Sequence, residues 1–160
     1  MTLAKEQPIM ADPIVVKMTD GVRPLNIVGE QITVLAAGGQ TGSYEVFHQI
    51  GPEGSGPPPH SHPWDEAFYV IAGEIAFGIE ERELVAHAGT FVHLPAGTTH
   101  WFRFGSGGGE MVSLTSREGA SHMFTDFDRE ISPTAPDLGR LIELGRPYGL
   151  TVSVPAASGA

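Results

Sequence analysis

From residue 13 to residue 115 the chain is a succession of short runs rich in Val, Ile, Phe and Tyr, each closed by Gly or Pro. No amphipathic helical stretch interrupts them before residue 116. The runs cover 13–18, 31–36, 43–50, 67–72, 75–79, 83–87, 90–94, 100–104 and 110–115. Strand-forming segments this short and this closely spaced predict an all-β sandwich or barrel. A doubly wound α/β fold would need helices between the strands. The run 43–50 alternates: Tyr44, Val46, His48 and Ile50 share one face, and Glu45, Phe47 and Gln49 the other.

Beyond residue 116 the pattern changes. Residues 120–131 are expected to form a short helix that buries Met123, Phe124, Phe127 and Ile131 at helical spacing. Pro133 and Pro136 break it, and 137–146 follows with Leu138, Leu141, Ile142 and Leu144 packed inward. Residues 151–154 read as one more strand. The tail can close a barrel mouth, meet a partner subunit, or simply pack on the barrel flank, and the last is the reading adopted. With no internal repeat in 160 residues, one domain is expected. It divides into a flexible lead (1–12), a barrel (13–118) and a helical tail packed on it (119–160).

Composition narrows the function. A hydrophobic fraction of 41% supplies a real core. Gly 21 and Pro 13, scattered without a period, suit turns between strands and not a low-complexity chain. A formal net charge of −10 repels phosphate backbones, so nucleic acid is not an expected partner. The sequence shows no apolar leader and no run long enough to span a bilayer, so no membrane partner is expected either. The absence of cysteine removes disulfides and thiolate ligands, leaves His and carboxylate as metal donors, and suits the cytoplasm.

Two windows carry the chemistry. The first holds Gly54, His60, His62, Glu66 and Gly73; the second holds Gly89, Pro95, Gly97, His100 and Phe104. His60 and His62 stand two apart, so on an extended strand their side chains leave by the same face. A turn around residues 63–65 lets Glu66 fold back beside them, and the turn at Pro95 and Gly97 delivers His100 to the start of another strand. Three imidazoles and a carboxylate suit one divalent Fe, Mn, Ni, Co, Cu or Zn ion. On an octahedral ion these ligands leave positions open, the mark of a catalytic site and not of a closed structural one.

The windows match the two sequence motifs of the cupin superfamily at nine positions: Gly54, His60, His62, Glu66, Gly73, Gly89, Pro95, Gly97 and His100. The stretch from Gly73 to Gly89 resembles the short spacer of many bacterial cupins. One position departs: the closing Asn of the second motif is Phe104 here, which is expected to make the pocket more apolar without removing a ligand. The segments 62–70, 91–100 and 137–150 further resemble single-domain cupins grouped as quercetin dioxygenase-like. The resemblance implies a double-stranded β-helix, or jelly-roll, barrel and an oxygen-dependent reaction on a phenolic or enolic substrate. It also implies a homodimer, with residues 13–36 supplying a strand that crosses to the neighbour.

The expected function is a metal-dependent, dioxygenase-like oxidoreductase acting on a small molecule. A metal-dependent lyase or isomerase and a ligand-binding cupin without catalysis are the alternatives. Glu66 is assigned two roles, ligand and base. Strand parity from Glu66 and His100 assigns Phe68, Val70, Phe102 and Phe104 to the substrate pocket, and His48 joins them as a candidate. His93 is expected to be structural, and His87 and His122 peripheral.

Overall fold

A computed structural model describes residues 11–153. Nine strands form one curled antiparallel sheet: β1 (Leu25–Ile27), β2 (Glu30–Ala36), β3 (Tyr44–Gly51), β4 (His60–Ser61), β5 (Glu66–Ile79), β6 (Arg82–His87), β7 (Phe91–Leu94), β8 (His100–Ser116) and β9 (Thr151–Val152). A single helical turn, α1 (Gly38–Thr41), joins β2 to β3, and α2 (Ala120–Glu130) and α3 (Leu138–Gly145) follow the barrel. The all-β barrel with short C-terminal helices predicted by the strand pattern is therefore the architecture of the chain.

The long pair β5/β8 is the spine, in register from Glu66 opposite Thr115 to Ile79 opposite His100. Here the structure corrects the sequence reading. The runs 67–72 and 75–79 belong to one strand, as do 100–104 and 110–115, so the glycines at 105 and 107–109 lie inside β8. Both strands bend together at register shifts flanking Ala72 and Gly73. Gly73 and Gly108 make the bend possible: both hold positive φ, and a Cβ on Gly73 would lie 2.4 Å from the Gly108 carbonyl oxygen. Side-chain-free backbone lets a bulge form inside a strand pair where composition alone suggests a turn.

The expected strand at 13–18 is also corrected. Residues 11–17 form no strand, and the segment ends in a 3-10 turn over Met18–Asp20. Two local hydrogen bonds close that turn, from Asp20 N to the Lys17 carbonyl at 2.8 Å and from Lys17 N to Asp20 Oδ2 at 2.9 Å. The lead at 1–10 and the tail end at 154–160 lie outside the described residues.

Two apolar clusters fill the interior. In one, Phe68, Val70, Ile75, Phe77, Phe102, Phe104 and Met111 pack as the closed part of the barrel, with neighbouring rings 5.3–6.0 Å apart. In the other, Ile32, Phe47 and Trp64 from the barrel meet Ala120, Met123, Phe127 and Ile131 from α2 and its end. The β3 alternation explains the second cluster, because Phe47 faces inward and its ring meets Phe124 edge-on at 5.3 Å. Glu45, on the same face and fully buried, anchors the start of α2. Its carboxylate accepts from Ser121 N at 2.9 Å, Gly119 N at 3.3 Å and Gly38 N at 2.9 Å. These are the otherwise unpaired N–H groups of helix starts. Finally β9 pairs with β4, setting Val152 opposite His60. The tail thus covers the open end of the barrel, not its flank.

Candidate metal centre

His60, His62, Glu66 and His100 converge at that covered end. Glu66 is the first residue of β5 and His100 the first of β8, while His60 sits directly opposite His100 in the β4/β8 pair. Turns hold these strand ends together. Gly97 N donates to the His62 carbonyl at 2.9 Å, and Ala96 N to Asp65 Oδ1 at 2.8 Å. Asp65 ties the two ligand-bearing turns to each other. One ligand atom from each of the four residues lies within 4.8 Å of all the others.

The rings are fixed by the backbone. His60 donates from Nδ1 to the Pro58 carbonyl at 2.8 Å, His62 to Trp64 at 3.0 Å, and His100 to Thr98 at 2.9 Å. A carbonyl oxygen only accepts, so each Nδ1 carries a proton and each ring turns its Nε2 inward. The His62 ring is held further by stacking on Trp64, with centroids 4.6 Å apart. Two of these Nε2 atoms stand 2.8 Å and 3.1 Å from Glu66 Oε2. With Nδ1 already committed to a carbonyl, each of these Nε2 atoms meets the carboxylate oxygen either through a second ring proton or through a metal cation between them. The donor set and its orientation therefore fit a divalent ion.

The electrostatics agree with this geometry. Burial pushes His60 down to about 4, so it is neutral at physiological pH. Burial would raise Glu66, but hydrogen bonds with His100 and His62 outweigh it and hold the carboxyl well below its usual range. His100 is raised, because the Glu66 carboxylate beside it overcomes the effect of burial.

A cavity of about 350 Å³ adjoins the cluster. His60, His62, Glu66, Trp64 and Phe102 form its barrel side, and Met123, Phe124, Phe127, Leu138 and Leu141 from the tail form its roof. Among the residues assigned to the pocket from parity, Phe102 lines it. Phe68, Val70 and Phe104 face inward as expected but lie deeper, in the closed aromatic core. His48 is on the outer face of β3 and meets Glu110 Oε1 at 2.5 Å; its neighbour Gln49 lines the cavity instead. His93 is exposed on β7, and His87 and His122 lie near the surface carboxylates of Glu74 and Glu118.

Two cavity residues escaped the sequence reading. Gln49 was legible on the inward face with Phe47, and Glu30 stands two residues before the inward-facing Ile32. Burial first, and then the Glu66 charge, pushes the Glu30 carboxyl up to about 8.

A model of the family described as Cupin domain matches residues 46–115. Quercetin 2,3-dioxygenase of Bacillus subtilis is 32% identical over 112 residues, which is 68% of this chain and 33% of that protein. The chain thus spans about a third of the length of the curated relative it matches. An RmlC-like cupin from Shewanella frigidimarina superposes with a TM-score of 0.61 at 17% identity, over 71% of this chain and 99% of the other. The polyketide cyclase RemF from Streptomyces resistomycificus gives 0.56 at 19% identity, over 67% and 81%. At these identities the two structures speak for the fold alone.

Proposed function

As the chain is a single-domain cupin, we propose that it is a metal-dependent, dioxygenase-like oxidoreductase acting on a small phenolic or enolic substrate. The observation that carries this reading is the pinning of three imidazoles by backbone carbonyls, so that their Nε2 atoms and Glu66 converge beside a roofed cavity. His60, His62, Glu66 and His100 would hold one divalent Fe, Mn, Ni, Co, Cu or Zn ion. Such an ion supplies Lewis acidity and redox chemistry with dioxygen. The similarity to a quercetin 2,3-dioxygenase supports the oxygen-dependent form over a lyase or isomerase.

The chain's own residues then do the following. Trp64 and Phe102 flank a flat substrate on the barrel side, and the apolar side chains of α2 and α3 exclude water above it. Glu66 accepts the hydroxyl proton as the substrate binds. A carboxylate held this acidic is a weak base, so it serves only where the oxygen losing the proton is itself acidified.

The test is metal analysis of the purified protein combined with an aerobic screen of flavonols, catechols and enolic diketones, with oxygen uptake recorded. One equivalent of a transition metal and oxygen consumed in step with substrate are expected. Turnover that continues unchanged under argon refutes the dioxygenase and favours the lyase or isomerase. Binding without turnover favours the non-catalytic cupin.

We also place the chain in the cytoplasm as a homodimer. Among the described residues no helix is long and apolar enough to cross a membrane. Ile14, Val15, Val16 and Met18 are exposed on the extended N-terminal segment, Val15 at 83%, which supports a partner subunit covering it. Sedimentation showing only a 17.0 kDa species would count against the dimer.

A further inference from the structure

The chemistry above leaves two polar side chains of the cavity unused. Glu30 opens β2, and Gln49 lies on β3 opposite Ile32, two residues along from Glu30. Both side chains therefore leave the sheet on its inward face as diagonal neighbours. They are only 5% and 2% exposed, and both line the cavity. Even so, Oε1 of each has no hydrogen-bond partner among the described residues. Around them the walls are mainly apolar, with Ile27, Ile32 and Phe124 among them.

Buried polar atoms are nearly always paired, because an unpaired one costs much of its lost hydration. Ser113 and Thr115 also have unpaired hydroxyl oxygens, but they lie outside this cavity. Among the described residues only Glu30 and Gln49 present theirs to the space beside the His/Glu cluster. A carboxyl and an amide side by side offer both acceptors and donors, and a hydroxyl group complements them by donating and accepting at once.

We infer that Glu30 and Gln49 form a second recognition point, separate from the metal cluster, that reads a hydroxyl on the distal part of a flat, largely apolar ligand. The ligand's other oxygens face His60, His62, Glu66 and His100. This assignment rests on the cavity being the substrate site. It narrows the substrate class from any phenol or enol to one with a further hydroxyl away from its metal-binding oxygens. Burial favours the neutral, hydrogen-donating form of Glu30, consistent with that role.

The test compares wild type, Glu30→Met and Gln49→Leu, each loaded with the metal found in the purified protein and each assayed for metal content. Binding is followed by quenching of tryptophan fluorescence, since Trp64 lines the cavity. The probes are 3-hydroxyflavone, whose polar groups are one adjacent ketone and hydroxyl, and quercetin, which adds hydroxyls on its outer rings. Quercetin should bind wild type at least about tenfold tighter than 3-hydroxyflavone, as expected for hydrogen bonds to buried unpaired groups. That gain should vanish in both variants while 3-hydroxyflavone binds all three proteins alike. A gain of equal size in the variants overturns the inference.

Failure of metal-loaded wild type to bind 3-hydroxyflavone would instead count against the phenol or enol reading. A second measurement then decides the recognition point by itself. In metal-free protein both variants should melt about 2 °C or more above wild type, because each replaces an unpaired polar group with an apolar one of similar volume. Melting at or below the wild-type temperature makes Glu30 and Gln49 supports of the fold and overturns the inference whatever the ligand.

Discussion

Replacing Glu45 tests how the roof of the cavity is held. Its fully buried carboxylate accepts from Ser121 N and Gly38 N at 2.9 Å and from Gly119 N at 3.3 Å. Glu45→Ala leaves these donors without an acceptor in a site where water has no ready access. Hydrogen bonds to a charged group contribute about 1.5–3 kcal/mol each. The three share one carboxylate and are not additive, so we take roughly 3–5 kcal/mol, below the sum of three such bonds. That is a large part of the ~5–15 kcal/mol that holds a typical domain together. Glu45→Gln keeps one accepting oxygen and should lose about half as much. Urea unfolding followed by circular dichroism measures both, and hydrogen exchange should show the Gly119 and Ser121 amides opening first. Because α2 carries Met123, Phe124 and Phe127 into the cavity roof, ligand affinity should fall with stability. A Glu45→Ala protein within about 1 kcal/mol of wild type, or one no less stable than Glu45→Gln, would refute the reasoning.

Three further outcomes are expected. Glu30 has a folded-state value near 8 against an ordinary 4.5, so the folded state holds its proton more tightly than the unfolded chain does. Metal-free protein should therefore lose stability as pH rises between those values, by up to about tenfold in the folding equilibrium per pH unit, and Glu30→Gln should lack that loss; parallel urea profiles for the two proteins would contradict it. Glu66→Gln should keep much of its metal by elemental analysis while turnover falls by ~10²-fold or more, the usual effect of losing a positioned base; undiminished activity would end the base role. Gly78 faces Trp101 across β5/β8, and a Cβ there would lie 1.9 Å from Trp101 Nε1. Gly78→Ala should then cost about 1–3 kcal/mol by overpacking, read as a lower melting temperature.

The His/Glu cluster was legible in the sequence because the spacings within each window are local, although the pairing that joins the two windows, His60 opposite His100, is not. Strand parity puts His60 and His62 on one face, and Pro95 and Gly97 turn the chain so that His100 opens β8. Depth along the barrel is not local information. Parity correctly turns Phe68, Val70 and Phe104 inward, but only the β5/β8 register places them in the closed core and Phe102 at the cavity. Parity on β3 separates His48 from Gln49 only after one face is tied to the interior, and Phe47 meeting α2 is what ties it. The glycines at 105 and 107–109 have the composition of a turn and become a bulge because β5 offers Gly73 opposite them. An amphipathic helix likewise declares an apolar face without declaring what that face covers. α2 covers the barrel mouth because Glu45, buried on β3, accepts from the amides of the helix start at Gly119 and Ser121.

Glu30 and Glu66 show why burial alone does not set the chemistry of this cavity. Both carboxyls are buried and both line the same space. Glu66 has His62 and His100 as hydrogen-bond partners and is held acidic; Glu30 has none among the described residues and is held near 8. The difference comes from partners, since desolvation raises both. One cavity therefore keeps an anion at the imidazole end and a neutral carboxyl on the β2 wall near neutral pH. A ligand entering as a neutral hydroxyl compound meets a hydrogen-bonding wall where its proton is retained and an anionic site where its proton can be taken. Two environments that drive like groups apart in acidity give the cavity a direction. A ligand bound in reverse would set its ionising oxygen against Glu30, where a second negative charge is opposed by the same burial that keeps that carboxyl protonated.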